Sequence, residues 1–482
     1  MEFEAVIGIE THVELATKSK MFCGCPARFG ADPNTNVCPV CLGLPGALPV
    51  PNETAIEWIV AIGLALDCEI VPLSQFHRKN YFYADQPKNY QISQFDIPVC
   101  SGGTLTIEVD GEPARVRINR VHMEEDTGKM IHVGGGGRIT DADHSLLDYN
   151  RAGVPLVEIV TEPDLSTPEQ ARAFAQELQA IVLALGVSDA KLEEGSMRFD
   201  GNVSVRPRGT RDMGVKVEVK NMNSFRSLER ALAFEIDRQA TALQAGEAIV
   251  QETRHWDEGA GITGSMRSKE ESSDYRYFPE PDLVPIEITE TRRESIRRVL
   301  PELPAAQRLR LSALGIDPAS IAVLISGGSK LTGMFDRAVD AGADPRTIAN
   351  WITGEVTAYL RRESVDLSDT PLTGEYLFEL ERLSAAGDLS STAAKQVLVG
   401  VLAGEGSPAE VAKSRDLIQI SDAAALESVI DRVLADHPDE HQRLAAGDAK
   451  VTGFLVGQVM KATAGKADPK MVSAMLHRKA PG

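Results

Sequence analysis

Ile9-Glu10-Thr11-His12-Val13-Glu14 has strand character, and the two-residue period of a strand puts Glu10, His12 and Glu14 on one face. Two carboxylates beside an imidazole suit a hard metal or a general base, and the same pattern also describes a solvated sheet edge. His122-Met123-Glu124-Glu125-Asp126 follows a second strand-like run. Three consecutive acids repel one another unless they are solvated, paired or bound to cations. Beside Glu10 and His12 they would form an oxygen-rich site for Mg(II); alone they are a surface acidic run. Arg78-Lys79 and Lys88 could meet a triphosphate or be ordinary surface charge.

Of the six cysteines, Cys23, Cys25, Cys38 and Cys41 are spaced C-x-C-x12-C-x2-C. Four thiolates in two short-spaced pairs suit tetrahedral Zn(II) in a closed structural site, the alternatives being a disulfide or bare thiol pairs. Cys68 and Cys100 read as core residues. An acyl-transfer nucleophile is not evident: G-x-S-x-G does not occur, and Ser326-Gly327-Gly328-Ser329-Lys330 reads as helix-ending punctuation. Neither the P-loop nor the G-x-G-x-x-G pattern occurs, and Gly134 to Gly137 reads as a solvated loop tip.

These residues need elements to position them. Thr104–Val109 and Ala114–Val121 flank Asp110-Gly111, a hairpin signal, and Val203/Val205 with Val215/Val217/Val219 suggest a second antiparallel pair. Between them one helix is predicted, with Thr167 as N-cap, Pro168 at its first position and Gln170 completing a capping box. Its buried stripe is Phe174, Leu178, Ile181, Val182 and Leu185, and Gly186 ends it. From Thr291 onward, Ala, Leu, Arg and Glu form amphipathic helical runs, giving an α+β chain that is strand-rich first and helical later. Pro279-Glu280-Pro281-Asp282 approaches one boundary, and Gly404-Glu405-Gly406-Ser407-Pro408 marks another. The expected division is 1–292, 293–406 and 407–482.

The 482 residues are 43% hydrophobic and 25% charged, which excludes a wholly disordered or fibrous chain and is enough for about three domains. No run approaches a membrane span, and the acidic N-terminus is unlike a secretory signal, so a cytoplasmic protein is expected. The net charge of −20 disfavours non-specific nucleic-acid binding. The segment Lys450–Gly482 runs against it: Lys450, Lys461, Lys466, Lys470, Arg478 and Lys479 face one acid, Asp468.

Several strings, taken in order, go beyond these readings: Glu10-Thr11-His12-Val13-Glu14, Arg78-Lys79-Asn80-Tyr81-Phe82-Tyr83, His122 to Asp126, Leu147-Asp148-Tyr149-Asn150-Arg151 continuing to Val160, Glu193 to Arg198, Lys220 to Phe225, and Asp274 to Asp282. Over essentially the whole length they resemble the B subunits of bacterial aspartyl/glutamyl-tRNA(Asn/Gln) amidotransferases, and the D-x-N-R-x3-P-x2-E string from Asp148 to Glu158 is highly specific to that family. The chain has no room for the domain inserted in the related archaeal E subunits.

The resemblance implies a β-rich, cradle-like catalytic domain with a zinc-knuckle insertion, then an all-helical domain and a small helical tail that binds tRNA through Lys450, Lys461, Lys466 and Lys470. It implies a heterotrimer with a glutaminase A subunit and a C subunit. ATP phosphorylates the side-chain carboxylate of Glu-tRNA(Gln) or Asp-tRNA(Asn), and ammonia from the A subunit, delivered by a protected route, displaces phosphate. It assigns Mg(II) to Glu10, His12 and Glu125, with Glu124 nearby, and phosphate or substrate contacts to Lys79, Lys88 and Arg151. Asn150 and Glu158 organise the pocket, and the four cysteines match a structural zinc site present in only part of the family. Two competing readings are a metallohydrolase built on Glu10, His12 and Glu125, and a non-catalytic protein that holds tRNA.

Overall fold

The computed structural model describes residues 2–134, 142–266, 275–419, 423–446, 448–463 and 465–479. Gly135 to Gly137 and Asp274 lie outside them. The chain divides into two compact units, Met1–Pro304 and Ala305–Gly482.

The first unit is built on a ten-stranded sheet. Its central strand, Phe3–Glu14, is rich in β-branched residues and lies antiparallel between Pro155–Thr161 and Met197–Pro207. Glu112–Glu125 pairs with Pro155–Thr161 on one side, and Val217–Met222 with Met197–Pro207 on the other. Thr104–Val109 and Glu112–Glu125 form the expected hairpin, with Val109 opposite Glu112. Asp110 and Gly111 both have positive φ, 54° and 82°, as a two-residue type I′ turn requires. In the second pair Val203 lies opposite Val217, whereas Val215 falls before its strand and is exposed.

Alternation divides the sheet into two faces. Ile7, Ile9, Val13, Val157, Ile159 and Met123 are buried in one apolar core with the helices Glu53–Ala65, Pro168–Leu185 and Phe225–Gln244. The predicted helix spans Pro168–Leu185: the Thr167 hydroxyl accepts from Gln170 N, and Gly186 at φ 68° ends it. The capping box is altered, because Gln170 Oε1 accepts from the amide and the hydroxyl of Ser166 instead of from Thr167 N–H. Leu185, in the last turn, is only half buried. The other sheet face, carrying Glu10, His12 and Glu14, is the floor of the candidate site.

The second unit is helical, as expected. Ser326 to Lys330 is a junction: Pro318–Ser326 ends and Gly328–Asp340 begins across Gly327. Near the chain's end, Ala423–Asp436, Pro438–Ala445, Ala449–Ala462 and Pro469–Lys479 share a separate core that includes Leu426, Ile430, Leu455, Val459, Val472 and Leu476. Among the described residues no helix is long and apolar enough to cross a membrane.

Candidate active site

The site is a set of cross-strand rows. Residues directly opposite one another in antiparallel strands share a face, with Cβ atoms about 5 Å apart. His12 lies opposite Glu158 on one side and Arg198 on the other, and Glu158 lies opposite His122. Adjacent strands therefore deliver Arg198, His12, Glu158 and His122 in one line. Glu124, two residues beyond His122, joins the same face. His122 Nε2 is 3.2 Å from Glu158 Oε2 and 3.5 Å from Glu124 Oε1, and His12 Nε2 is 3.7 Å from Glu158 Oε2. Lys79, from the short strand His77–Asn80, places Nζ 3.8 Å from Glu124 Oε1. Ser93 Oγ donates to that same oxygen at 2.8 Å.

The charges hold each other in place. Burial works against an imidazolium at His122, yet the Glu158 and Glu124 carboxylates override it and raise the pKa to about 9. Burial likewise opposes ionised Glu124, and Lys79 and His122 outweigh it, lowering the carboxyl to about 2. Glu158 is held well below the usual range by His122 and His12 against burial. One ligand atom from each of His12, Glu124 and Glu158 lies within 4.8 Å of the others, so this donor set fits a hard cation that takes oxygen ligands and an imidazole.

The neighbouring row carries Glu10 opposite Asp200. With Glu218 they form a second cluster within 4.8 Å. Asn202 Nδ2 donates to Glu10 at 2.8 Å, and Lys220 Nζ donates to Asp200 at 2.7 Å. Burial opposes the Lys220 charge, and Asp200 and Glu218 prevail, raising its pKa. His12, Lys79, Glu124, Asp200, Lys220 and Tyr275 all line one polar cavity of about 640 Å³. Beyond His12 on the central strand, Glu14 is raised to about 9 by burial and by the hydrogen-bonded Asp126 carboxylate. Asp126 in turn accepts from Arg198 Nη2 at 2.7 Å.

Glu10, His12 and Glu125 therefore fall in three settings. His12 sits with Glu124 and Glu158, Glu10 with Asp200 and Glu218, and Glu125 on the opposite strand face from Glu124. There Glu125 Oε1 is bound by Lys88 Nζ and accepts from Ile92 N at 2.9 Å. It lines a smaller cavity of about 120 Å³ with Lys88, Tyr90 and the cysteine-bearing loop. That loop presses on Lys88: Gly43, at φ 67°, lies so close that an added Cβ would be 2.5 Å from Lys88 Cγ.

Cys23, Cys25, Cys38 and Cys41 gather with their sulfurs within 4.8 Å of one another, and all are free thiols. The Cys38–Cys41 Sγ separation of 3.9 Å is far too long for a disulfide and close to the ~3.8 Å edge of a ZnS4 tetrahedron. Cys38 N donates to Cys41 Sγ at 3.1 Å, a bond that favours a thiolate at Cys41. The Cys41 thiol falls to about 5, through the Cys23 hydrogen bond, which outweighs burial, together with the Cys38 amide and the Lys20 charge. The four cysteines can hold a metal ion. Cys68 and Cys100 are buried in the core.

Asn150 braces this loop, accepting from Asn36 N and donating to Asp32 O, both at 2.7 Å. Arg151 donates to Thr127 O at 3.0 Å and Gly128 O at 3.1 Å, and lies 3.7 Å from Asp126. In the tail, Lys450, Lys461 and Lys470 are exposed, while Lys466 is paired with Asp416 and Lys479 with Glu427 and Asp431.

Sequence reasoning missed His122, Arg198, Asp200, Glu218, Lys220 and Tyr275 as site residues. Period-2 parity could have placed His122 with Glu124. The pairing of Glu10 with Asp200 depends on a strand register between residues 190 positions apart.

A profile of the GatB/GatE catalytic domain matches residues 5–294, and one of the GatB domain matches residues 333–479. The B subunit of the aspartyl/glutamyl-tRNA(Asn/Gln) amidotransferase of Acaryochloris marina is 51% identical to this chain, across 100% of it and 98% of its own length. Its counterpart from Moorella thermoacetica is 51% identical across 99% of each chain, and that from Synechococcus elongatus 50% identical across 100% and 98%. With identity at this level from end to end, and both profiles in order, this chain belongs to the family of aspartyl/glutamyl-tRNA(Asn/Gln) amidotransferase B subunits.

Proposed function

We propose that this chain carries the site where the side-chain carboxylate of Glu-tRNA(Gln) or Asp-tRNA(Asn) is phosphorylated by ATP and then amidated with ammonia. The observation that carries the reading is the linked array of Lys79, Glu124, His122, Glu158 and His12, of which Lys79, Glu124 and His12 line a polar cavity of about 640 Å³ and the buried His122 and Glu158 support them from beneath.

A carboxylate resists ammonia because its charge repels the nucleophile and oxide cannot leave. Transfer of the ATP γ-phosphoryl group to one oxygen gives an acyl phosphate and ADP, and ammonia at the carbonyl carbon then displaces inorganic phosphate. His12, Glu124 and Glu158 would hold Mg(II), which neutralises phosphate charge during transfer. Lys79 and Lys220 reach into the cavity as fixed cations for phosphate or substrate carboxylate, and Arg198 and Arg151 fix Asp126 at its rim. Glu125 and Lys88 line the smaller cavity, where they would meet ammonia entering from that side. Against a metallohydrolase, Glu158 and Glu124 hold His122 as an imidazolium, so the array offers His12 as its one other histidine for a metal.

The relatives' designation as B subunits implies a complex, and we assign ammonia production to a glutaminase A subunit in a cytoplasmic heterotrimer with a C subunit. The four cysteines would hold structural Zn(II). We further assign a catalytic domain to 1–292, a helical domain to 293–406 and a tRNA-binding tail to 407–482. The helix Pro408–Ser414 packs on Ser391–Leu402, and the tail's own core begins at Leu426.

The test uses the assembled complex with ammonium chloride as nitrogen source, which bypasses the glutaminase. ADP should form one-to-one with Gln-tRNA(Gln), and only when misacylated tRNA is present. Amide product without ATP consumption would overturn the reading. In the tail, reversing Lys450, Lys461 and Lys470 to Glu should weaken tRNA binding and flatten its salt dependence, by a slope of about 1 per lost phosphate contact. Unchanged affinity and slope in a filter-binding titration would remove the tail assignment.

A further inference from the structure

We propose that Lys20 is the buried counter-ion of the four-cysteine site and sets how tightly that site holds a divalent metal. The inference rests on reading the cysteines as a metal site.

Lys20 is 1% exposed, among the largest fully buried side chains of the protein. An ammonium has three donors and a charge that burial penalises unless it is paired. Lys20 Nζ donates to Tyr149 O at 3.1 Å, and among the described residues no carboxylate lies within ion-pair distance of it. A buried cation is thus left with an incomplete set of partners.

The two cysteine pairs lie beside it. Lys20 N donates to Cys25 O at 2.9 Å, so its backbone is tied to the first cysteine pair. At Gly153 an added Cβ would lie 3.5 Å from Lys20 Cδ and 3.6 Å from Cys41 Cβ, so the lysine stem and the second cysteine pair flank the same point. Four neutral thiols would leave this ammonium uncompensated. Four thiolates around a divalent ion carry a net charge of −2, which Lys20 reduces to −1. Loading the site therefore relieves the lysine, and the lysine in turn favours the loaded site.

Glu125 is the rival counter-charge, because its Oε2 lies 3.7 Å from the same point at Gly153. Its other oxygen is engaged by Lys88 and Ile92 N.

The experiment measures zinc content of the full-length chain and zinc release to 4-(2-pyridylazo)resorcinol for wild type, Lys20→Met, Lys20→Gln and Lys20→Arg. Both neutral variants should release zinc about tenfold faster or more, and Lys20→Arg should stay near wild type. After EDTA stripping, Lys20→Met should melt at or above stripped wild type, because an unpaired buried charge has gone. If Lys20→Met fails to fold, Lys20→Gln carries the same comparison. Zinc-loaded wild type with unchanged release in the neutral variants overturns the inference and leaves Glu125 as the partner. Wild type that takes up no zinc overturns the metal reading and the inference together.

Discussion

Glu158→Gln in the assembled enzyme should lower ammonium-dependent amidation of Glu-tRNA(Gln) by about 10³-fold while tRNA binding is retained, the equivalent of about 4 kcal/mol of transition-state stabilisation. Glutamine keeps the shape of Glu158 and removes its charge. That charge sits between His12 and His122 and completes the donor set with Glu124. Its loss removes a carboxylate from the proposed metal site and the main support of the His122 imidazolium in one step. Single-turnover measurement of ADP and Gln-tRNA(Gln) separates the two halves of the reaction, and both should fail together because activation precedes amidation. A variant that still makes ADP and amide at the wild-type rate would move the chemistry out of this chain and leave it as the holder of tRNA.

The second large effect is on stability against pH. His122 has an ordinary pKa of 6.5 and a folded value of about 9, so the folded chain holds its proton more tightly than the unfolded one. The stabilisation is complete below pH 6.5 and is lost as pH rises through about 9. The shift corresponds to about 3 kcal/mol. The low Glu124 pKa reports the same ion pairs from the other side and is not an additional gain. In EDTA, wild type should therefore lose more melting temperature between pH 6 and pH 10 than His122→Gln. Parallel losses in the two proteins would mean that His122 is not held as a cation.

Much of this was legible in residue order. Alternation put Glu10, His12 and Glu14 on one face, Asp110-Gly111 marked its hairpin, and Thr167 and Gly186 bounded their helix, because each of these signals is local. The cysteine spacing announced a cluster for the same reason. The sorting of Glu124 from Glu125 was also available, since neighbours on a strand face opposite ways, but the resemblance drew attention to Glu125. Partners across strands were out of reach. Nothing near Glu10 names Asp200, and nothing near His12 names Glu158, because register is fixed by packing of the whole sheet. Lys20 was hidden for a different cause: lysine is almost always solvated, so its burial contradicts the expectation for its type.

The central strand, Phe3–Glu14, has a consequence for how the protein is made. It precedes both its partners in the chain, and they are distant, one beginning at Pro155 and the other at Met197. At about 5–20 residues per second, its first edge waits roughly 7 to 30 s for a partner and its second longer still. Throughout that interval a strand with one apolar face and two open edges is available to other chains. Holdase chaperones should therefore engage nascent chains truncated before Met197 and release those that extend past Pro207, a boundary set by sheet order and not by the limits of any domain.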